Sequence, residues 1–469
     1  MGERELIGLC GFIVLFALLA LRVPVGLAMV LVGIGGNFAL SIAAPFLRFE
    51  PFLRQFKTLL WGTVANYELS VVPLFILMGL LASHAGLSRD LFRGLNALIG
   101  RVQGGVAMAA IGACAGFGAV CGSSLATAST MGRVALPELA RLNYAPRLAT
   151  GTLAAGGTLG ILIPPSVALV LYAIIVEASI VDMFQAAIVP GLMAVAFFVA
   201  VIGLTARLSP ESAPKAATLD RAERRADIRR LVPVLAIFGA IVAGLGLGLF
   251  TPTPAAAIGA TAILVYGFYL RAVSKPDADG HRAGLTLSGL KASFLETAVM
   301  SAMIYFILFG AEVLKGFFAK AGLPAAMAAG VSGSGLDPYV VLLVLLFALI
   351  VLGCFMDSLA MILVVLPFFW PALVALNGGD YVLAADAAFY LDAEDLKIWF
   401  GVVALVVVEL GLITPPVGLN VFVIAQISRT PMGEVFRGVA PFFAIELMRV
   451  ALLIAFPALC LFLPHLLGG

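Results

Sequence analysis

Charge is what this sequence has least of: only 12% of its residues are Asp, Glu, Lys or Arg, against roughly 25% in a soluble domain. Long polar stretches are also scarce. Only about 206–230, 271–291 and 374–398 are polar enough to be loops of any length, and none is long enough to fold as a domain. The three histidines, His84, His281 and His465, are scattered, and no HExxH or GxGD motif occurs. Nothing in these motifs points to an intramembrane metalloprotease or aspartyl protease, and the chain is not expected to be an enzyme. The five cysteines, Cys10, Cys114, Cys121, Cys354 and Cys460, lie in apolar stretches without CxxC spacing and are expected as packed thiols. A net charge of +2 gives no reason to expect nucleic acid as a partner.

Apolar sequence is what remains. Hydrophobic residues make up 62% of the 469, and the mean hydropathy is +1.13. The runs are too long for the alternating strands of a membrane β-barrel. At about 20 residues per span they predict roughly ten to twelve spans of an all-α polytopic membrane protein, with the lipid bilayer as its solvent. The apolar run from Leu6 to Leu21 follows Glu3 and Glu5 and continues into more apolar sequence, so it reads as a first span and not a signal peptide. Arg48 to Glu68 and Ser88 to Gln103 mix charges with Leu and Phe at helical spacing, as interfacial or core-packed helices do.

Four short signposts recur in the same order in the two halves. Arg-Val-Pro-Val at 22–25 answers Phe-Thr-Pro-Thr at 250–253, and Phe-Ile-Leu-Met-Gly at 75–79 answers Phe-Ile-Leu-Phe-Gly at 306–310. Ser-Ser-Leu-Ala at 123–126 answers Asp-Ser-Leu-Ala at 357–360, and Leu-Gly-Ile-Leu-Ile-Pro-Pro at 159–165 answers Leu-Gly-Leu-Ile-Thr-Pro-Pro at 410–416. The sequence thus divides into a first repeat over 1–205, a basic linker over 206–230 and a second repeat over 231–469. Arg207, Lys215, Arg221, Arg224, Arg225, Arg229 and Arg230 place the linker in the cytoplasm. Arg141 and Arg147 follow the Ser-rich tip of the first half, whereas the matching stretch of the second half carries Asp380, Asp386, Asp392, Glu394 and Asp395. Matched loops of opposite charge predict opposite sides of the membrane, and hence inverted-topology repeats with re-entrant hairpins, as in many secondary transporters.

The segments Gly116–Gly132 and Gly156–Ser166 are apolar at their ends and rich in Gly, Ser, Thr and Pro between. Non-helical backbone at membrane depth has to be buried in protein or line a wet cavity, where freed carbonyls and hydroxyls can hold a cation. Each Pro-Pro pair removes two backbone donors, exposing candidate ligands around Gly160 and Ile163 and around Gly411 and Thr414. Ser123, Ser124 and Thr127 read as a hairpin tip facing an ion or a carboxylate, or as a small-residue packing surface. Asp357 and Ser358 occupy the matching tip, and Asp357 reads as a helix cap, a coupling group or a salt-bridge partner. Glu409 stands in an apolar run and either tethers a mobile unit or carries charge. Arg133 marks a helix end or attracts an anion. Asn420 offers a side-chain oxygen or an interhelical hydrogen bond, and Glu446 and Arg449, three apart, are expected to pair.

Gly122-Ser-Ser-Leu-Ala-Thr-Ala-Ser-Thr, Gly156-Gly-Thr-Leu-Gly-Ile-Leu-Ile-Pro-Pro-Ser, Gly353-Cys-Phe-Met-Asp and Gly411-Leu-Ile-Thr-Pro-Pro-Val-Gly-Leu-Asn resemble the large membrane subunit of the tripartite ATP-independent periplasmic (TRAP) transporters. The resemblance covers nearly the whole chain; only about Ala375 to Lys397 is longer and more acidic than the family leads one to expect. It implies an elevator-type transporter in the bacterial inner membrane, coupled to Na⁺ without any other cofactor and carrying an organic acid. It also implies two partners, a small four-helix membrane subunit and a periplasmic substrate-binding protein. Carried over by position, it implies Na⁺ sites at Ser123, Ser124, Gly160, Ile163 and Ser166, and at Gly411, Thr414 and Val417. The substrate is expected at Ser124, Thr127, Asp357, Ser358 and Asn420. A stand-alone dicarboxylate or citrate carrier of related fold is the other candidate, although the Ser-Asn-Thr signature at the tips of such carriers is missing here.

Overall fold

Helices account for all the regular structure among the residues described by the computed structural model, namely 2–44, 46–215, 220–274, 282–333 and 335–467. Among them eight helices are long and apolar enough to cross a bilayer, or nine if the bent pair Pro146–Leu162 and Val167–Val176 forms one span. This is fewer than the ten to twelve predicted from composition. Gly105–Cys121, Pro338–Gly353, Leu419–Ser428 and Ala458–Leu467 are apolar but only 10–17 residues long, short of the ~20 residues that cross a hydrocarbon core. The polar stretches also shrink. Helix Arg221–Gly246 takes up the end of the basic linker, and only 378–392 stays non-helical in the acidic stretch. Residues 216–219 of the linker and His281 lie outside the described residues.

The chain divides into two compact units, and each draws on both sequence halves. One comprises Met1–Ser70, Ala298–Ala348 and Leu359–Lys397; the other comprises Val71–Thr297, Leu349–Ser358 and Ile398–Gly469. In the first, Phe12, Phe318 and Phe368 meet edge-on at centroid distances of 4.6–6.5 Å. Lys320 reaches across to the Asn37 Oδ1 (3.2 Å) and lies 4.9 Å from the centre of the Phe52 ring. The non-helical 378–392 is held by the buried Asn377, which accepts from the Phe389 N–H and donates to the Leu391 carbonyl.

The second unit contains the breaks. Gly105–Cys121 and Ser124–Arg141 form a helical hairpin whose tip is Gly122-Ser123, and Pro146–Leu162 with Val167–Val176 packs on it as a broken helix. Gly122 ends the first arm in the left-handed region at φ 59°, a conformation costly for any residue with a Cβ. The second half repeats the arrangement. Pro338–Gly353 and Ser358–Asn377 flank the tip bearing Asp357, and Ala393–Gly411 and Leu419–Ser428 flank the second Pro-Pro pair. Both pairs, Pro164-Pro165 and Pro415-Pro416, are cis. In each half the arm before the tip meets the broken helix glycine to glycine. A Cβ on Gly118 would lie 2.4 Å from the Gly160 Cα, and one on Gly411 would lie 2.6 Å from the Gly353 Cα. Gly160 and Gly411 each stand four residues before their Pro-Pro pair.

Elsewhere in this unit the amphipathic helix Leu87–Ile99 packs on the basic end of Arg221–Gly246, where the Arg224 Nε donates to the Ala97 carbonyl at 3.0 Å. Asp90 is buried at that contact; burial pushes its carboxyl upward, while Arg230 and Arg93 pull it back down. The expected Glu446–Arg449 pair is buried, and Arg449 also donates to the Pro190 carbonyl at 2.9 Å.

Close glycine contacts set the sign of a stability test. Ala in place of Gly inside a helix ordinarily adds about 1 kcal/mol, but overpacking costs about 1–3 kcal/mol. Gly118→Ala and Gly411→Ala are expected to lower the thermal midpoint of the purified protein. Gly62→Ala, with nothing within 4 Å of its added Cβ, is expected to hold or raise it. A raised midpoint in Gly118→Ala would show that the two backbones do not meet.

Candidate functional site

The two hairpin tips converge on one carboxylate. Ser124 is the first residue of the helix after the first tip, and Ser358 is the first residue after the second. The Ser124 Oγ donates to the Glu409 Oε2 at 2.5 Å and the Ser358 Oγ donates to the Oε1 at 2.7 Å. All three side chains are buried, with Glu409 only 1% exposed. A carboxyl oxygen accepts hydrogen bonds, and here each of the two has a hydroxyl partner. Such bonds contribute about 0.5–1.5 kcal/mol each, and each offsets part of the cost of burying a polar group.

Around this carboxylate the two halves are not equivalent. Glu409 stands two residues before Gly411, and the position two before Gly160 is Thr158, whose hydroxyl turns back to the Ala155 carbonyl at 2.6 Å. A single acidic group from the second broken helix therefore serves both tips.

Two polar side-chain atoms beside the first tip have no hydrogen-bond partner among the described residues, the Thr127 Oγ1 and the Asn420 Oδ1. Both residues are 0% exposed. They flank the glycine face of Pro146–Leu162. A Cβ on Gly160 would lie 2.6 Å from the Thr127 Oγ1 and 2.9 Å from the Ser123 carbonyl, and one on Gly157 would lie 3.0 Å from the Asn420 Nδ2 and 3.2 Å from the Ser124 carbonyl. The bare backbone at Gly157 and Gly160 thus lets Thr127, Asn420 and the two tip carbonyls pack directly on Pro146–Leu162, too close for even a methyl group between them, and their oxygens are hard donors of the kind that suit an alkali cation. The Asn420 Nδ2 meanwhile donates to the Ala154 carbonyl at 3.4 Å.

The other expected residues sit at the breaks in different ways. The Ser123 hydroxyl caps Ser124–Arg141, accepting from the Ala126 N–H at 3.4 Å, and the buried Ser166 caps Val167–Val176 from the Leu169 N–H at 3.5 Å. Ile163 ends Pro146–Leu162 in extended conformation. The Thr414 hydroxyl donates to the Leu410 carbonyl at 2.5 Å, and Val417 is half-buried in the turn beyond the second Pro-Pro pair. Gly160 and Gly411 act through close backbone packing. Asp357 is half-buried directly before Ser358. Arg133 is exposed and lines an open depression of about 480 Å³ with Thr150 and Ser428.

Residues 12–459 match the family described as "Tripartite ATP-independent periplasmic transporter, DctM component". The chain belongs to the TRAP transporter family. It is 33% identical over 433 residues to the C4-dicarboxylate TRAP transporter large permease protein DctM of Pseudomonas aeruginosa, covering 92% of this chain and 94% of that one. It is 30% identical to the ectoine TRAP transporter large permease protein TeaC of Halomonas elongata, covering 88% and 91%. Its fold is similar to that of the Alcanivorax borkumensis YdaH transporter, with a TM-score of 0.61 and 16% identity over 86% of this chain and 88% of that chain. Membership in the TRAP family as a large permease subunit favours the first of the two sequence readings over the stand-alone carrier. The chain is a multi-pass membrane transport subunit and not an enzyme.

A shared acceptor makes the effects of the two serines depend on Glu409. Ser124→Ala and Ser358→Ala are each expected to lower the thermal midpoint, by about 1–3 kcal/mol of stability, because each strands a buried carboxylate oxygen. In a Glu409→Leu background both losses should shrink, the mark of residues in one network. Losses of the same size with and without Glu409 would separate the serines from the carboxylate.

Proposed function

We propose that this TRAP large subunit carries an organic acid inward across the bacterial inner membrane, driven by Na⁺ and supplied by a periplasmic substrate-binding protein. The observation that supports Na⁺ coupling is the pair of orphaned oxygens, Thr127 Oγ1 and Asn420 Oδ1, beside the first tip. A buried polar atom without a partner costs about 1–3 kcal/mol, and a bound cation removes that cost. Helix ends at the breaks add carbonyl oxygens where the helix dipole is negative. Glu409 is the acidic group that both tip serines share, and its tie to Ser124 and Ser358 gives a rigid floor on which an ion and a carboxylate substrate can be ordered together.

A carboxylate is the cargo that fits the helix N-termini at the two tips, since their N–H groups donate to an anion. The relatives name C4-dicarboxylate and ectoine as cargo at nearly the same identity to this chain, so identity alone does not choose between them; a C4-dicarboxylate is the first to assay. Two partners are part of the proposal, a small four-helix membrane subunit and the soluble binding protein. The longest non-helical segment among the described residues is 378–392, far too small for a capture domain. An elevator movement of the unit containing both tips is proposed as the transport step.

The test is uptake in proteoliposomes reconstituted with candidate partners, with and without a Na⁺ gradient. Thr127→Val and Asn420→Leu are expected to raise the Na⁺ concentration for half-maximal uptake roughly tenfold, equivalent to about 1.4 kcal/mol per lost ligand. Thr158→Val, whose hydroxyl is already bonded to a carbonyl, should leave it unchanged. Uptake by the parent protein that ignores Na⁺ would overturn the coupling, and robust uptake by the chain alone would overturn the need for partners.

A further inference from the structure

Away from the tips, an apolar groove runs along the outer surface of helix Pro252–Val273, lined by Ala257, Ile258, Thr261, Val265, Tyr266 and Tyr269 of that helix and by Ile237 of Arg221–Gly246, with a volume of about 760 Å³. Residues 257 to 269 lie along one helix face, and twelve steps at 1.5 Å make the groove about 18 Å long, close to the length of a phospholipid acyl chain. Its walls belong in hydrocarbon. Ile258, Val265 and Tyr269 are 48%, 62% and 61% exposed, and both helices are candidate membrane spans.

The groove has one charged end. The two helices are joined by a short turn at 247–251 and pack on each other, so they run antiparallel, and the C-terminal end of Pro252–Val273 lies level with the arginine-rich start of Arg221–Gly246. Arg221, Arg224, Arg225, Arg229 and Arg230 fall within ten residues there, opposed on that helix by Glu223 and Asp227. Arg229 and Arg230 are exposed, and the Arg230 Nη1 lies 3.9 Å from the Asp227 Oδ1, too far for a hydrogen bond. Leu87–Ile99, packed on the same end, adds the exposed Arg89 and Arg93 against the buried Asp90. Tyr266, which lines the groove, is within electrostatic reach of both the buried Asp90 and Arg230. Tyrosines at the junction between an apolar slot and a cationic rim are the arrangement of a membrane interface.

We propose that this groove is a binding site for an anionic phospholipid. One acyl chain lies along Ala257 to Tyr269, and the phosphate meets Arg229 and Arg230. A zwitterionic lipid fills the same slot but gains less from the rim, because its own cationic group offsets its phosphate. A basic pocket between two spans is a recurrent headgroup site, and here occupancy would brace Leu87–Ile99 against the start of Arg221–Gly246.

Native mass spectrometry of the full chain from micelles containing equal phosphatidylglycerol and phosphatidylcholine tests this, with any membrane subunit that co-purifies left in place. The parent is expected to retain phosphatidylglycerol in preference. Arg229→Gln with Arg230→Gln should reduce that preference by about tenfold or more, and Arg229→Lys with Arg230→Lys should keep it. Ile258→Trp with Val265→Trp should lower retention of both lipids, at an unchanged thermal midpoint. Equal retention of the two lipids by the parent, or an undiminished preference in the glutamine variant, would overturn the site. So would a Val265→Cys variant whose thiol a lipid-soluble maleimide reaches only after a co-purified subunit is removed, which would assign the groove to a protein helix.

Discussion

A carboxylate buried in an apolar helix is the constraint on which the candidate site depends. Glu409 is buried, so donors to its two oxygens must come from the fold itself. Ser124 and Ser358 supply them, each from the first residue of a helix that follows a hairpin tip. The carboxylate thereby fixes the two tips with respect to each other, and it does so from the second broken helix alone, because Thr158 holds the corresponding place in the first and bonds to its own helix. Two copies of one fold unit are joined by a residue that only one copy carries.

Glycine makes that joint possible. The tips come near the broken helices because Gly118 meets Gly160 and Gly353 meets Gly411 at backbone contact, and a side chain at any of these positions would push a tip away from its neighbour. The same bare backbone at Gly157 and Gly160 lets Thr127, Asn420 and the tip carbonyls approach Pro146–Leu162 closely. Packing and ion chemistry thus draw on one set of small residues. Gly160 and Gly411, expected as ligand positions, also hold backbones together.

Much of this was legible in the sequence, and the part that was not has a physical reason. The Ser-Ser-Leu-Ala and Asp-Ser-Leu-Ala signposts located both tips, and the Pro-Pro pairs located both breaks, because Gly, Ser and Pro in an apolar run state a local backbone event. The Glu446–Arg449 pair followed from helical spacing. Glu409 was visible as a lone acid near Gly411, but its role depends on contacts across 285 and 51 residues, and no periodicity encodes such partners. Among the described residues the long apolar helices number eight or nine and not ten to twelve, because part of the apolar sequence lies in helices of 10–17 residues that composition cannot distinguish from longer ones.

The most direct measurement is a distance between the two tips. In a background with the five native cysteines replaced, Ser124→Cys with Ser358→Cys should be bridged by Hg²⁺ or a short bifunctional thiosulfonate. The bridge should form in the membrane-embedded protein and stop uptake until a reductant restores it. Rapid, stoichiometric bridging of the pair, with Ser123→Cys and Ser358→Cys bridged more slowly, is the result expected of two hydroxyls on one carboxylate. Free thiols at both positions after exposure to the bridging reagent would contradict a common anchor at Glu409.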